Sequence, residues 1–551
     1  MIDNQTHIDS LLQSTYTQLI NTVNHHYDQS IGSTSLSQWL LMSIGLLISF
    51  NCVQKLIAFV KFQNEVSSLP HEPYNLITGH INNFGIKLTT LTNLPEKAIM
   101  TECERLFAKY RSTGLILVKL MWKPLLIIVN HSIVKAIAAK NGLVERGGQI
   151  YLLKPWIGNS VTTSSAINWH SKRRTVNLAF HADCLPVYTS IVERQTIKFI
   201  KKLNDDENLG KPINISRWVH LAGLGYIVEI ISGQFIDFLN SQGGQYFDDL
   251  EIIQQSREQR LWFPIYWSDL IYSLTPSGWR HKSALSRVHQ FSQSLVESSL
   301  QSMKQGKVNQ GPGKPIVELI VQSYWEKAQS SGSETINVQS IREELDGLIM
   351  GTFDTTPNAI TFTLYLLGLN SSYQEQLFQQ LSELDVDPNT GLPNTNDIMK
   401  SPYLDGVVKE ALRLYPPVPF VQRQLDTDIT INGQLIPAGM DLTLCLYFLH
   451  RDPQLFPEPE SFYPDRWLNQ HADNNNQPLP LTSYLPFGFG LRQCVGKKLG
   501  LIIMKIAIAH IIINFKLTSS QPLTSSDVKL STAIIPKIPL LVKLERRKEI
   551  N

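Results

Sequence analysis

Close to its C-terminus the chain sets one sulfur between glycines and basic residues, in PFGFGLRQCVGKKLG (Pro486 to Gly500), and then resumes helical periodicity at once in KKLGLIIMKIAIAHIII. That arrangement constrains the fold more than any other stretch. The glycines let backbone approach a flat partner closely, and the following helix turns the positive end of its dipole toward the sulfur. Arg492 and the loop N–H groups favour the thiolate of Cys494. The reading suits an axial ligand, although an isolated cysteine in a glycine loop is more often a buried, inert one, and this stretch alone leaves both open. Partners for the sulfur are not signalled. The five cysteines, Cys52, Cys103, Cys184, Cys445 and Cys494, are widely spaced, odd in number and free of C-x-x-C pairs. This argues against a disulfide framework and structural zinc, and for a reducing compartment.

The first 54 residues contain no Lys or Arg. Within them LSQWLLMSIGLLISFNCV (Leu36 to Val53) is uncharged and long enough for a membrane-crossing helix, while lacking the basic start of a cleaved signal peptide. Acidic residues precede the segment and Lys55 and Lys61 follow it, so the positive-inside rule expects a lumenal N-terminus and a cytosolic body. A buried or membrane-surface helix is the alternative. The organisation expected is a tail over 1–35, an anchor over 36–54, a linker over 55–69 and one large domain over 70–551. With a net charge of +2 and scattered Lys and Arg, a nucleic-acid footprint is not indicated.

Helical periodicity dominates from about Met100 to Tyr415, and the clearest strand signal is DITINGQLIPAG, two alternating runs around Asn432-Gly433. The fold class expected is mainly α with small β-sheets. Three further stretches carry candidate chemistry. VVKEALRLYPPVP sets Glu410 and Arg413 on one helix face that Pro416-Pro417 ends. REELDGLIMGTFDTTPNAITFTLYLLGL interrupts an apolar helix with Asp354, Thr355, Thr356 and Pro357, polar groups that are costly there unless used and that distort a helix. PWIGNSVTTSSAINWHSKRRTVNLAFH sets Trp169 and Arg173 one turn apart, two pure donors able to face one anion.

The pattern F-x-x-G-x-R-x-C-x-G, met by Phe487, Gly490, Arg492, Cys494 and Gly496, resembles the haem-binding signature of the cytochrome P-450 family. The other stretches follow in that family's order from about Leu69 to the C-terminus. Phrases such as FLHRDPQLFPEPESFYPDRW and SYLPFGFGLRQCVG are most similar to its family-four branch, associated with terminal hydroxylation of fatty acids and related lipids. The resemblance implies the cytochrome P-450 fold, a single haem domain behind the N-terminal anchor. It implies Cys494 as the haem-iron ligand, and Trp169 and Arg173 on a haem propionate. It also implies a buried structural network of Glu410, Arg413 and Arg466. Thr355 and Asp354 would supply protons to bound dioxygen, although Thr352 stands where the pattern has glycine.

The function so implied is a microsomal haem-thiolate monooxygenase. It would insert one oxygen atom of O2 into a C–H bond of a fatty acid or related lipid, sterol, terpenoid or xenobiotic. Electrons would come from NADPH through a separate reductase, with cytochrome b5 as a further donor, since no dinucleotide motif follows a strand in this chain. Lys172, Arg173, Arg174, Lys497 and Lys498 offer a basic docking face for an acidic reductase, or ordinary solvated charge. The location implied is the endoplasmic reticulum membrane, single-pass. Two alternatives are a haem-thiolate isomerase or dehydratase of lipid peroxides, and a non-catalytic membrane haem protein. Much of family four attaches haem through a glutamate ester on the central helix. Here that position falls on Gly351, so the haem b is expected to be held non-covalently.

Overall fold

Residues Thr356 to Gly368 are buried on every side, and a helix apolar all round belongs in the middle of a protein. The computed structural model describes residues 36–75, 77–86, 96–138, 144–205, 207–240, 244–307, 313–332, 335–387, 393–468, 480 and 482–547. Its helices of twelve residues or more are α1 (Leu36–Val66), α2 (Glu96–Tyr110), α3 (Ala166–Leu178), α4 (Leu185–Leu203), α5 (Ile215–Ser232), α6 (Gly244–Trp262) and α7 (Pro276–Lys304). They continue with α8 (Ile316–Ser330), α9 (Val338–Phe353), α10 (Thr355–Leu369), α11 (Ser371–Ser382), α12 (Pro402–Leu414) and α13 (Lys497–Asn514). The chain divides into two units, Met1–Ser68 and Leu69–Asn551.

In the first unit α1 runs unbroken to Val66, through residues that composition reads as a linker. Among the described residues no helix is long and apolar enough to cross a membrane. Most side chains of the anchor stretch, 36–44 and 46–48, lie outside those described, as does the tail over 1–35.

In the second unit α10 packs against α5, α12 and α13 and against the edge of a sheet. Two of these, α5 and α13, are themselves buried along most of their length. Where α5 meets α10, a Cβ added at Gly223 would stand 2.6 Å from the Pro357 ring, so only glycine lets the two backbones come this close. A continuous apolar core joins these helices.

The sheets sit around this bundle. Strands β1 (Leu115–Leu120), β2 (Lys123–Ile128), β4 (Phe420–Gln424) and β7 (Asp441–Cys445) form one sheet in the order β1-β2-β7-β4, with β2 and β7 parallel. Strands β3 (Pro212–Asn214), β8 (Phe515–Ser519) and β11 (Leu541–Arg546) form a second, with β11 in the middle. The expected hairpin is present: β5 (Ile429–Ile431) and β6 (Gln434–Ile436) pair across Asn432 and Gly433, whose φ values of 50° and 78° are those of a type I′ turn. Strands β9 (Val528–Leu530) and β10 (Ile534–Pro536) form a last pair. The mainly helical reading with small sheets therefore holds. It missed the β1–β2 hairpin, which falls inside the stretch read as helical.

Candidate active site

The Cys494 loop is a tight turn closed by its own backbone. Cys494 N–H donates to Phe487 O at 3.0 Å and Gln493 N–H to Gly490 O at 3.0 Å. Gly490 holds a φ of 66°, a left-handed conformation that favours glycine. Three residues after the sulfur, α13 begins at Lys497. Cys494 is exposed by surface area, yet burial raises its thiol pKa above the ordinary value. A side chain facing an internal cleft, not bulk water, has both properties. The Gly496 N–H, Arg173, Arg146 and Lys497 all act to lower that pKa. The expectation that they hold the thiolate by themselves is corrected: burial outweighs them. A bound metal reverses the balance, since a coordinating thiol loses its proton outright.

Beside this loop the chain gathers positive charge. Arg173 Nη1 donates to Gln493 O at 2.9 Å. The Trp169 ring lies 4.8 Å from the Arg492 guanidinium carbon and 6.0 Å from that of Arg173. Arg492 donates to the carbonyls of Val144, Val161 and Ser164, fixing the loop to the segment before α3. Sequence reasoning did not find Arg146 and Arg423, which join the cluster. Burial and then the repulsion of Arg146 and Arg492 lower Arg423 to about 9. The same two causes, burial and Arg146, bring Arg492 to about 9. Burial also lowers Arg146 to about 10, and its Nε is buried without a partner. Among the described residues Glu145 is the carboxylate that opposes the lowering of Arg492. Guanidinium groups this crowded and buried require anionic partners. They fit a flat cofactor with negatively charged substituents, and Cys494 fits as the donor to its metal.

The central helix is broken at Asp354, between α9 and α10. Pro357 has no N–H to give the Phe353 carbonyl, and Thr355 Oγ1 donates to Gly351 O at 2.6 Å, as a back-bonding threonine does. Thr352 Oγ1 likewise donates to Leu348 O at 3.1 Å. Gly351 is exposed in the middle of this buried helix, and a Cβ built on it would meet nothing within 4 Å. Gly351 therefore borders open space. Asp354, read as a proton carrier, is buried and paired with Arg257 at 2.6 Å, a partner that sequence reasoning did not anticipate.

Away from the cleft, Glu410 and Arg413 are fully buried. Glu410 accepts from Arg413 Nε and Nη2 at 2.9 and 2.8 Å, from Trp467 Nε1 at 2.8 Å, from the Tyr463 N–H at 3.1 Å and from Arg466 Nε at 3.3 Å. Burial pushes its carboxyl up, but Arg413, Arg466 and the Tyr463 N–H together outweigh it and the net shift is downward. Arg413 spends its remaining donors on the carbonyls of His450, Pro459 and Ser461. The network ties α12 to the segment that leads into the cysteine loop. Trp467 is the member that the sequence reading left out.

Residues 84–544 match the family model described as Cytochrome P450. Among curated proteins the chain is similar to cytochrome P450 4V2 of Homo sapiens, 28% identical over 435 residues, covering 77% of this chain and 81% of that protein. It is also similar to cytochrome P450 4c3 of Drosophila melanogaster, 27% identical over 77% of this chain and 80% of that one. Cytochrome P450 4c21 of Blattella germanica is 25% identical over 81% of this chain and 88% of its own length.

Proposed function

The chain belongs to the cytochrome P450 family of monooxygenases, which hold haem b on a cysteine thiolate, and its relatives are of the family-four branch; on that premise we propose that Cys494 is the iron ligand. The observation that carries this reading is the crowd of guanidinium groups around the Cys494 loop, Arg146, Arg173, Arg423 and Arg492, with burial and mutual repulsion lowering the pKa of three of them. Arg492, Arg173, Arg146 and Arg423 would neutralise the propionates, with Trp169 packed among them. When bound, the haem supplies the redox chemistry of dioxygen activation.

The chain's own residues do the rest. Thr355 holds a proton at Oγ1, given to the Gly351 carbonyl, and its oxygen can also accept, so a proton can pass through it. Asp354 stands next in sequence as the carboxylate that replenishes it. The apolar walls contributed by the core exclude water and admit a lipophilic substrate. Electrons would come from NADPH through a separate reductase, docked on the exposed Arg174, Lys497 and Lys498, with cytochrome b5 as a second donor. Of the basic face read from the sequence, Lys172 is instead ion-paired with the buried Glu344 and Arg173 is turned to the Gln493 carbonyl. Leu36 to Val53 would anchor the protein in the endoplasmic reticulum membrane with the tail lumenal and the catalytic domain cytosolic. Support for the anchor is the charge asymmetry of the sequence.

The test is spectroscopic. The reduced, carbon monoxide-bound protein should show the thiolate-type absorption band, and Cys494→Ala should lose it. Retention of that band in the variant would mean another residue is the ligand.

A further inference from the structure

Helices α4 and α5 and the segment after α5 enclose a cleft of about 310 Å³, the lower end of the roughly 300–1,000 Å³ that small-molecule sites occupy. None of its lining residues belongs to the Cys494 loop or to the broken central helix. Leu221, Ala222 and Leu239 give it apolar walls. Phe235, also in the lining, is 43% exposed. On the α4 side stand Lys198 and Lys201, one helical turn apart and both exposed. The Lys198 Nζ lies 3.3 Å from the centre of the Phe235 ring. Among the described residues no carboxylate pairs with either lysine. The acidic groups of the lining are already engaged. Asp205 Oδ2 lies 2.9 Å from Lys202 Nζ, and Asp237 accepts from the N–H and side-chain amide of Asn240 at 3.1 and 2.9 Å.

Gln195 adds a second polar group to the lining, and it is only 5% exposed. Its Nε2 donates to Glu229 Oε2 at 2.5 Å, which fixes the amide and leaves Oε1 as the free end. That oxygen accepts from no described residue. A Cβ built on Gly225, another lining residue, would stand 3.5 Å from it. The missing side chain keeps the oxygen at the cleft. Two unpaired ammonium groups call for an anion, the apolar walls for a hydrocarbon body, and the amide oxygen for an N–H or O–H donor. We infer that this cleft is a second ligand site, taking a small organic acid whose apolar body carries one such donor. Its carboxylate meets Lys198 and Lys201, and its donor meets Gln195 Oε1.

Equilibrium dialysis of the full-length haem-loaded protein against indoleacetate, tryptamine and naphthylacetate tests it. Indoleacetate has the acid and the N–H, tryptamine exchanges the acid for an ammonium, and naphthylacetate lacks the N–H. Tryptamine should bind about tenfold or more weakly than indoleacetate, because it brings a third positive charge to the two lysines. Naphthylacetate should bind about twofold or more weakly, because it leaves the amide oxygen unpaired. Lys198→Gln with Lys201→Gln, two exposed positions, should weaken indoleacetate about fivefold or more. The haem absorption band should stay in place as the cleft fills. Tryptamine binding as tightly as indoleacetate, or undiminished indoleacetate binding in the lysine variant, overturns the inference. A haem band that shifts along the same binding curve also overturns it, by placing the acid at the haem. Naphthylacetate binding as tightly as indoleacetate overturns the part assigned to Gln195.

Discussion

Thr355 Oγ1 donates to the Gly351 carbonyl at 2.6 Å, across the point where the central helix breaks. The bond holds the hydroxyl at the break, where proline has removed the ordinary helical donor. Thr355→Ala removes that proton-bearing group without adding bulk. We expect an intact carbon monoxide spectrum, with product formed per NADPH consumed falling about tenfold or more, since positioned proton transfer contributes at least that much. Thr355→Ser, which keeps the hydroxyl, should restore most of the coupling. Unchanged coupling in the alanine variant would remove Thr355 from proton delivery.

Glu410 answers three side chains at once, Arg413, Arg466 and Trp467. Glu410→Ala leaves Arg413 charged and fully buried with no carboxylate beside it. Breaking such a pair from one side costs roughly 3–5 kcal/mol, and denaturant unfolding of the haem-loaded protein should show it. Arg466→Ala should cost less, because its contact at 3.3 Å is the longest of the set. Equal stability of Glu410→Ala and the unaltered protein would refute the structural role.

Legibility followed chemistry that is local in sequence. The cysteine loop, the helix carrying Glu410 and Arg413, and the Asn432-Gly433 turn each declare themselves within a dozen residues. Arg257, Arg146 and Arg423 do not. An arginine is ordinarily a surface residue, and nothing near Arg257 in the sequence announces that it meets Asp354, ninety-seven positions away. Arg423 had a faint signal, since the period of a strand puts it on the same buried face of β4 as Val421, where an inward charge needs a partner. Strands β1 and β2 were missed for a similar reason. LILVKL and KPLLII are short apolar runs that periodicity alone cannot separate from buried helix, and β2 is fixed by its parallel pairing with the distant β7.

Asp346 on α9 is fully buried, 2.9 Å from Arg342 Nη1 and 3.8 Å from His289 Nε2. Burial pushes its carboxyl up to about 7, against the opposing pull of Ser292 and Arg342. A carboxyl whose folded value exceeds its unfolded value of about 3.9 favours the native state when protonated. Its stabilising contribution is therefore full below pH ~4 and is lost as pH rises toward 7. Asp346→Asn should flatten the fall in stability over that window, a difference on the order of 1–4 kcal/mol between its ends. Unfolding midpoints of both proteins across the window measure it, and parallel curves would show that Asp346 does not titrate there.

Gly351 occupies the position where much of family four presents the glutamate that esterifies haem, and it has no carboxylate to offer. The nearest carboxylates on α9 are engaged. Glu344 is fully buried, with Oε1 2.8 Å from Lys172 Nζ and Oε2 accepting from the Val161 N–H at 2.8 Å, and Asp346 is bound to Arg342. The haem is therefore released intact on denaturation, and mass spectrometry after acid-organic extraction should give the bare protein mass with free haem. The open space at Gly351 gives a second expectation. A Cβ there meets nothing within 4 Å, so Gly351→Ala gains helix propensity without a clash, about 1 kcal/mol of stability. A protein mass that keeps the haem increment would mean that another side chain has formed the bond, and the first to examine would be Asp354, three residues on and tied to Arg257 through only one of its two oxygens.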